Sequence, residues 1–177
     1  NARNDWWWAI DNVDFSVKHM GISTVRGAFK VMTATGETND AGLPTSLSME
    51  IDAASIDTNS EQRDGHLKSP DFFDVANHPK LTFTATKISG TPAELTIVGD
   101  LTIRGVTKSV TLTGELSTPT KDPWGLQRTA LNVAGKIKRS EWGLTWNQAL
   151  ELGGVLVSDE VKLTIEAQAV AAVPAAA

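Results

Sequence analysis

Three segments of the chain alternate between apolar and polar residues, and each carries a glycine on its apolar side. The segments span residues 95–103, 110–116 and 131–137, and their glycines are Gly99, Gly114 and Gly135. This alternation is typical of β-strands that bury one face and expose the other. A glycine on the buried face leaves space that a Val or Leu would fill. The pattern suggests a hollow β-barrel around an apolar molecule, and a bulge or barrel corner at each glycine explains it equally well.

Further alternating segments follow at fairly regular spacing, separated by Gly, Pro, Asn and Asp clusters. Their apolar faces comprise Val13, Phe15 and Val17; Leu47, Met49 and Ile51; Leu81 and Phe83; and Leu163 and Ile165. Another strand is predicted over about 25–34, with a turn over 36–44. Many short strands at this spacing indicate an antiparallel sandwich or barrel. We find no internal linker, so we predict one all-β domain over 1–177, with a core over about 8–169.

Residues 59–74 interrupt the strand pattern. Thr58 and Glu61 have the spacing of a capping box at the start of a helix. The helix should stop before Pro70, which disfavours helical geometry in the preceding residue, and a second helical turn should begin at Pro70. Phe72 and Phe73 require burial. We therefore predict a short helical lid over about 59–74 that closes one end of the barrel.

Three tryptophans, Trp6, Trp7 and Trp8, follow one another near the start of the chain. Neighbouring side chains in a strand point to opposite faces. At least one of these indole rings must therefore face outward, where it could pack at a sheet edge or contact another molecule.

Composition excludes several classes of function. The chain has 177 residues, a formal net charge of −5 and no cysteine, so disulfides and thiolate chemistry are excluded. Lys136, Lys138 and Arg139 form a small basic cluster that we interpret as a solvated rim, so nucleic acid is not an expected partner. No apolar run reaches the roughly 18 residues of a membrane span. The residues 169–177 are expected to be a frayed end.

Catalytic and metal sites receive little support from the sequence. The chain has no Gly-x-Ser-x-Gly motif, and no glycine-rich loop suggests nucleotide binding. Asp64, His66 and His78 could in principle bind zinc, but we interpret Arg63, Asp64 and His66 as structural parts of the lid. Asp71 and Asp74 are expected to serve a helix start. We therefore predict no catalytic residue, no metal and no cofactor.

Six motifs then occur in a recognisable order. They are IDTNSEQRDGHLKSPDFFD at 56–74, HPKLTF at 78–83, GDLTIRGVTK at 99–108, DPWG at 122–125, WGLTWN at 142–147 and GGVLVSD at 153–159. Together they resemble the YceI family, the bacterial lipocalin-like polyisoprenoid-binding proteins, over about residues 8–169. The chain departs from the family pattern after Asp11, where a His-Ser step is missing before Asn12.

The resemblance implies an elongated lipocalin-like antiparallel barrel whose apolar pore binds, stores or transports a polyisoprenoid or an isoprenoid quinone without catalysis. Fatty acids or fatty acyl amides in the same pore are one alternative, and a small hydrolase or isomerase that uses His19 is another. The resemblance also implies that a homodimer could form. It slightly favours the periplasm or secretion, and the cytoplasm stays open because the chain shows no signal peptide.

Candidate ligand-binding residues are those on the inward apolar faces, together with the three glycines for width. His19 continues the face of Phe15 and Val17 and could contact a ligand head group. We expect Gly99→Leu to fill the pore and lower lipid binding in a folded protein. The full set is Phe15, Val17, His19, Phe29, Leu47, Met49, Ile51, Leu81, Phe83, Ile97, Gly99, Leu101, Leu112, Gly114, Val133, Gly135, Leu163 and Ile165.

Overall fold

The computed structural model of the chain describes residues 6–39, 43–147 and 157–172. Within these ranges, eleven strands form one antiparallel sheet. The strands are β1 Trp6–His19, β2 Ser23–Phe29, β3 Met32–Thr38, β4 Pro44–Asp52, β5 Ile56–Asp57, β6 Lys80–Gly90, β7 Leu95–Ile103, β8 Val106–Leu116, β9 Thr120–Lys121, β10 Leu126–Lys138 and β11 Val157–Ala172. One α-helix, α1 Glu61–Lys68, lies between β5 and β6, and short 3-10 turns cover Ala53–Ser55 and Arg139–Trp142.

The sheet curls into a barrel without being closed by strand pairing. Its order is β3-β4-β6-β7-β8-β10-β11-β1-β2-β5, with β9 paired to β10. At the seam, a Cβ on Gly36 of β3 would lie 3.1 Å from Trp8 Cδ1 of β1. The Trp8 ring therefore covers the place where β1 and β3 face each other. The register of β1 against β11 shifts between Ile10 and Asn12, where the sequence departs from the family pattern.

The strand expected over 25–34 is two strands. Lys30 and Val31 separate β2 from β3. The Lys30 N–H donates to Ser55 O at 3.2 Å, and the Asp52 N–H donates to Val31 O at 2.9 Å. The chain therefore leaves the ladder of β1 at this point and joins β4. Gly36, expected in a turn, lies within β3 and pairs with Leu47.

The three glycines of the apolar faces lie where the backbone or a ring approaches closely. A Cβ on Gly99 would lie 2.7 Å from both Phe83 Cε2 and Thr84 O, and one on Gly135 would lie 2.7 Å from Thr111 O. A Cβ on Gly114 would overlap the Asn132 carbonyl oxygen. The expectation that these glycines widen a pore is therefore wrong, because the space at each is already occupied by protein atoms.

The barrel has a filled half and a hollow half. In the filled half, the first part of β1 pairs with the last part of β11, and Trp8 lies opposite Ala169. Leu95, Leu116 and Leu131 are also buried in the core, away from the cavity. In the hollow half, the second part of β1 pairs with the first part of β11. The side chains of this half do not fill the interior, and the space between them is the cavity described below.

Candidate ligand cavity

A cavity of about 270 Å³ lies inside the hollow half and under α1. Most of its lining is aliphatic or aromatic, and the polar side chains are few. The described residues that line it are Val13, Phe15, Val17, His19, Val25, Phe29, Met49, Ile51, Thr58, Arg63, His66, Leu67, Phe72, Phe73, Leu81, Phe83, Leu101, Ile103, Val110, Leu112, Ile137, Arg139, Leu144, Trp146, Val157, Val161, Leu163 and Ile165.

The cavity brings together most of the candidate binding residues, but not all of them. Those that line it are Phe15, Val17, His19, Phe29, Met49, Ile51, Leu81, Phe83, Leu101, Leu112, Leu163 and Ile165. Those that do not are Leu47, Ile97, Gly99, Gly114, Val133 and Gly135. The three large side chains of this second group are buried in the hydrophobic core. Like the lining residues, they lie at inward positions of their strands. Alternation predicts on which face of a strand a residue lies, but it does not predict how far along the barrel the residue lies.

The lid is held to the barrel by hydrogen bonds around Thr58. Asp64 Oδ1 accepts from Thr58 N at 2.9 Å and from Thr58 Oγ1 at 2.6 Å. Arg63 Nε donates to Thr58 Oγ1 at 2.8 Å, and its Nη2 donates to Thr58 O at 2.5 Å. The side-chain cap of α1 is Ser60, whose Oγ accepts from Arg63 N at 3.3 Å. Thr58 is therefore not the helix cap expected from the sequence.

After α1 the chain continues in turns instead of a second helix. Ser69 Oγ accepts from Asp71 N at 3.3 Å, and Ser69 O accepts from Phe72 N at 3.0 Å. These turns place Phe72 in the core and let Asp71 reach His66 Nε2 at 2.8 Å. Asp71 therefore pairs with the lid histidine and does not serve a helix start.

An aromatic cluster closes the lid over the cavity. The His66 ring lies edge-on to Trp146, with centroids 4.6 Å apart, and edge-on to Phe72, with centroids 5.2 Å apart. Phe72 and Trp146 also contact each other at 5.5 Å. On the other side of the lid, Phe73 packs edge-on against Phe29 of β2 at 5.7 Å. Such pairs add specific geometry to burial, so the lid has a defined position over the barrel end.

Arg139 is buried at the same end of the cavity, with only 6% of its surface exposed. Arg139 begins the 3-10 turn Arg139–Trp142. At the end of this turn, Trp142 Nε1 donates a 2.9 Å hydrogen bond to Leu101 O of β7. The Arg139 guanidinium donates to four backbone carbonyls, which are Ser158 O at 2.9 Å, Leu144 O at 2.7 Å, Trp146 O at 2.8 Å and Val157 O at 3.1 Å.

The solvated rim expected at 136–139 is therefore only partly correct. Lys136 and Lys138 are exposed, but Arg139 is not. Burial lowers the pKa of the Arg139 guanidinium, and the charge of Asp159 opposes that shift. The period-two pattern is consistent with this burial, because Arg139 follows Ile137 by two positions and so continues the inward face of β10.

His19 lies at the cavity end of β1 and is half-buried. Within the described part of the chain, no carboxylate forms a hydrogen bond or ion pair with its ring. Among the same residues, no group of three or more His, Cys, Asp or Glu is arranged to hold a metal ion. None of the helices in the described ranges has the length and apolar character for a membrane crossing.

Comparisons with known proteins agree with this architecture. The family model of the YceI-like domain matches residues 8–169. Protein YceI of Escherichia coli O157:H7 is 39% identical over 161 residues, which cover 89% of this chain and 80% of that protein. A Campylobacter jejuni YceI protein superposes with a TM-score of 0.75 at 32% identity, covering 85% of this chain and 87% of that one.

A more distant structure has the same fold. A polyisoprenoid binding domain from Saccharophagus degradans superposes with a TM-score of 0.61 at 18% identity, covering 93% of this chain and 98% of that domain. The predicted all-β, lipocalin-like barrel is thus confirmed. With a family model matched over most of its length and relatives near 40% identity, this chain belongs to the YceI family.

Proposed function

We propose that the protein binds a long apolar lipid, either a polyisoprenoid or an isoprenoid quinone, in its cavity without covalent chemistry. The observation that carries the proposal is the lidded cavity, which is lined mainly by aliphatic and aromatic side chains. Concave apolar sites with a few convergent polar groups are typical of small-molecule binding. The polyisoprenoid binding domain of Saccharophagus degradans, which has the same fold, supports this class of ligand.

Carriage or storage follows from the energetics of transfer. Burial from water contributes about 0.8 kcal/mol per methylene. A long prenyl chain taken from water would therefore nominally exceed the practical limit of about −20 kcal/mol for non-covalent binding. A lipid comes from a membrane, where its tail is already in apolar surroundings. The net free energy of transfer into the cavity is then small, and loading is readily reversible.

A catalytic role is not part of this proposal. The hydrolase or isomerase alternative needs a base that acts on a bound substrate, and His19 is the candidate. A catalytic histidine usually has a partner that orients the ring, whereas His19 has no carboxylate partner in the described ranges. Fatty acids and fatty acyl amides remain outcomes of the experiment below.

Native mass spectrometry of the protein purified from a bacterial host tests the proposal. We expect an adduct at a one-to-one ratio, and solvent extraction should identify it as a prenyl lipid. A fatty acid or fatty acyl amide in its place would keep the cavity and change the ligand. Absence of any adduct, together with no uptake of added prenyl lipid, would contradict the proposal.

A matched pair of tryptophan variants tests whether the ligand binds inside the barrel. Leu163 of β11 lines the cavity, and its neighbour Lys162 points to the exposed face. Leu163→Trp should reduce lipid uptake at least tenfold because the larger ring occupies the cavity. Lys162→Trp should bind as the unchanged protein does. Circular dichroism and thermal melting check that both variants fold. Equal uptake by the two folded variants would place the ligand elsewhere.

A further inference from the structure

The turn between β1 and β2 exposes two large apolar side chains. Ile22 is 84% exposed and Met20 is 48% exposed. The turn follows His19, which lines the cavity, so both side chains lie beside the lid end of the barrel. Neither residue belongs to the hydrophobic core or to the described lining of the cavity. We call residues 20–22 the apolar turn.

The backbone of the apolar turn does not favour methionine. Met20 has a φ of 56° and Gly21 has a φ of 73°. Positive φ at both central positions is typical of tight hairpin turns, which prefer Asn, Asp and Gly there. The His19 carbonyl fixes the turn by accepting from Ile22 N at 3.3 Å and from Ser23 Oγ at 3.1 Å. Neither burial nor backbone geometry therefore explains an apolar side chain at position 20.

The outer face of the barrel beside the apolar turn is basic. Arg26, Ser16, Lys162 and Lys136 are consecutive register partners across β2, β1, β11 and β10. Two further lysines lie nearer the lid end, on β1 and β10. Each of these cations is exposed and adjoins an inward residue that lines the cavity, so all of them point outward. The basic face consists of Lys18, Arg26, Lys136, Lys138 and Lys162.

Acidic side chains offset only part of this charge. Among the described residues of these four strands around the hollow half, three carboxylates accompany the cations. Glu160 lies 3.7 Å from Lys136 Nζ, and Asp14 lies at the border with the filled half. Asp159 interacts with the charge of the buried Arg139. The face as a whole therefore stays positive, although the chain carries a net charge of −5.

We propose that the apolar turn and the basic face dock the protein on an anionic lipid bilayer, with Met20 and Ile22 entering the head-group region. Exposed apolar side chains and basic residues both contribute to such binding, through buried apolar area and through attraction to anionic lipids. Docking in this way places the lid end of the cavity beside the membrane. The inference goes beyond the proposed function, because docking does not require a lipid in the cavity.

Charge and polarity favour a bilayer over other partners of this surface. A second copy that used the same face would bring like charges together. An acidic protein or a nucleic acid would match the charge and leave Met20 and Ile22 without apolar surroundings. The acidic Asp57 and Glu61 follow beyond the far edge of β2, in β5 and α1. The docking surface therefore ends at β2.

Co-sedimentation with vesicles tests the docking. Vesicles of phosphatidylcholine mixed with phosphatidylglycerol should bind the protein about tenfold tighter than vesicles of phosphatidylcholine alone. High salt should remove most of this difference because dissolved ions screen exposed charges. Equal binding to the two kinds of vesicle, or binding to neither, would overturn the docking proposal. Uptake of prenyl lipid added without vesicles does not involve this surface, so it tests the proposed function separately.

Variants separate the apolar contribution from the charged one. Ile22→Ser should weaken binding to the anionic vesicles about tenfold, because it removes an apolar side chain that enters the bilayer. Lys18→Gln combined with Lys162→Gln should weaken it by about the same factor. Lys87→Gln combined with Lys108→Gln is the matched control, since both lysines are exposed outside the basic face, on β6 and β8.

The control variant changes the net charge equally and should bind as the unchanged protein does. Circular dichroism checks that all variants fold. Equal losses in the two double variants would show an effect of overall charge and overturn docking by this face. Strong binding of polyglutamate that Ile22→Ser leaves unchanged, without preference for anionic vesicles, would identify an acidic macromolecule as the partner instead.

A cysteine label reports which part of the protein meets the bilayer. The chain has no cysteine, so Ile22→Cys provides a single site for an environment-sensitive fluorophore. Its emission should shift to the blue when anionic vesicles are added. The same label at Trp124→Cys is the control, because Trp124 is 79% exposed and precedes β10 at the filled end. A shift at position 124 and none at position 22 would contradict the proposed orientation.

Discussion

At the scale of single residues, two glycines show that the surroundings of a Cα decide what a substitution does. Gly99 lies in β7 with its Cα facing the Phe83 ring and the Thr84 carbonyl. Gly65 lies in α1 with no heavy atom within 4 Å of the position a Cβ would take. The sequence shows the same residue type at both positions. Only the packing around each separates a required glycine from a dispensable one.

Alanine at these two glycines should change stability in opposite directions. Gly99→Ala should lower the free energy of unfolding by about 1–3 kcal/mol because overpacking forces its neighbours to move. Gly65→Ala should raise it by about 0.5–1 kcal/mol because alanine loses less backbone entropy in a helix. Urea denaturation measures both. A stabilised Gly99→Ala variant would mean that the close contact with Phe83 is absent in solution.

At the scale of elements, the turn after β10 is bonded to the first residues of β11. Asp159 Oδ1 accepts from Ser140 N at 2.9 Å, and its Oδ2 accepts from Ser140 Oγ at 2.8 Å. Burial acts to raise the pKa of the Asp159 carboxyl, but these hydrogen bonds and the charges of Arg139 and Lys138 outweigh it, so the pKa lies below its ordinary value of 3.8. The ionised carboxylate therefore helps to hold the Arg139 turn.

The contribution of Asp159 should depend on pH. A carboxyl whose pKa is lowered by folding adds stability above its unfolded-state pKa, and that stability is lost as pH falls through the lower folded-state pKa. Asp159→Asn should therefore be less stable than the unchanged protein at pH 7, by less than about 1 kcal/mol because the group is exposed. The gap should shrink as pH falls below 3.8. Urea midpoints at pH 7 and pH 2.5 measure it.

Glu160→Gln is the control for loss of one negative charge. Glu160 is the next residue on β11, and its carboxylate lies 3.7 Å from Lys136 Nζ, with both side chains exposed. At pH 7 we expect Glu160→Gln to lower the free energy of unfolding by less than Asp159→Asn does. A gap that stays constant with pH for Asp159→Asn would show that the hydrogen-bonding geometry matters and the charge does not.

At the scale of the whole molecule, we expect the filled half of the barrel to contribute mainly to the stability of the fold and the hollow half to bind the ligand. The three tryptophans of β1 lie at the filled end. Trp8 is 8% exposed and covers the seam against Gly36 of β3, whereas Trp7 is 63% exposed. The expectation that at least one ring faces outward is confirmed. The sheet is not closed by hydrogen bonds at the seam, so a large apolar side chain takes their place.

Alanine at Trp8 and at Trp7 should separate these two roles. Trp8→Ala should lower the free energy of unfolding by about 3–5 kcal/mol, as expected for the loss of a large buried aromatic side chain. Trp7→Ala should leave the free energy of unfolding within about 0.5 kcal/mol of that of the unchanged protein. Thermal and urea unfolding give the comparison. Similar losses in the two variants would mean that the seam depends on the outward ring as well.

Much of the architecture was predictable from the sequence because alternation is local. The inward positions of β7, β8, β10 and β11 and the place of the lid follow from residue spacing, and the family was recognised from the resemblance of six motifs. The depth of each residue along the barrel could not be predicted. Ile97 and Leu101 share one face of β7, yet only Leu101 lines the cavity. That difference depends on what neighbouring strands place across the interior.

The fold class and the face of each long strand were predictable from the sequence alone, because period-two alternation depends only on neighbours along the chain, and the family was recognised from the resemblance of its motifs. Tertiary packing was needed to show which half of the barrel is hollow, that the three glycines are sites of close contact, and that Arg139 lies buried beside the lid. These outcomes depend on groups far apart in the chain. Arg139, for example, is held by carbonyls that include Val157 and Ser158 of β11, and they come within its reach only when β11 pairs with β10.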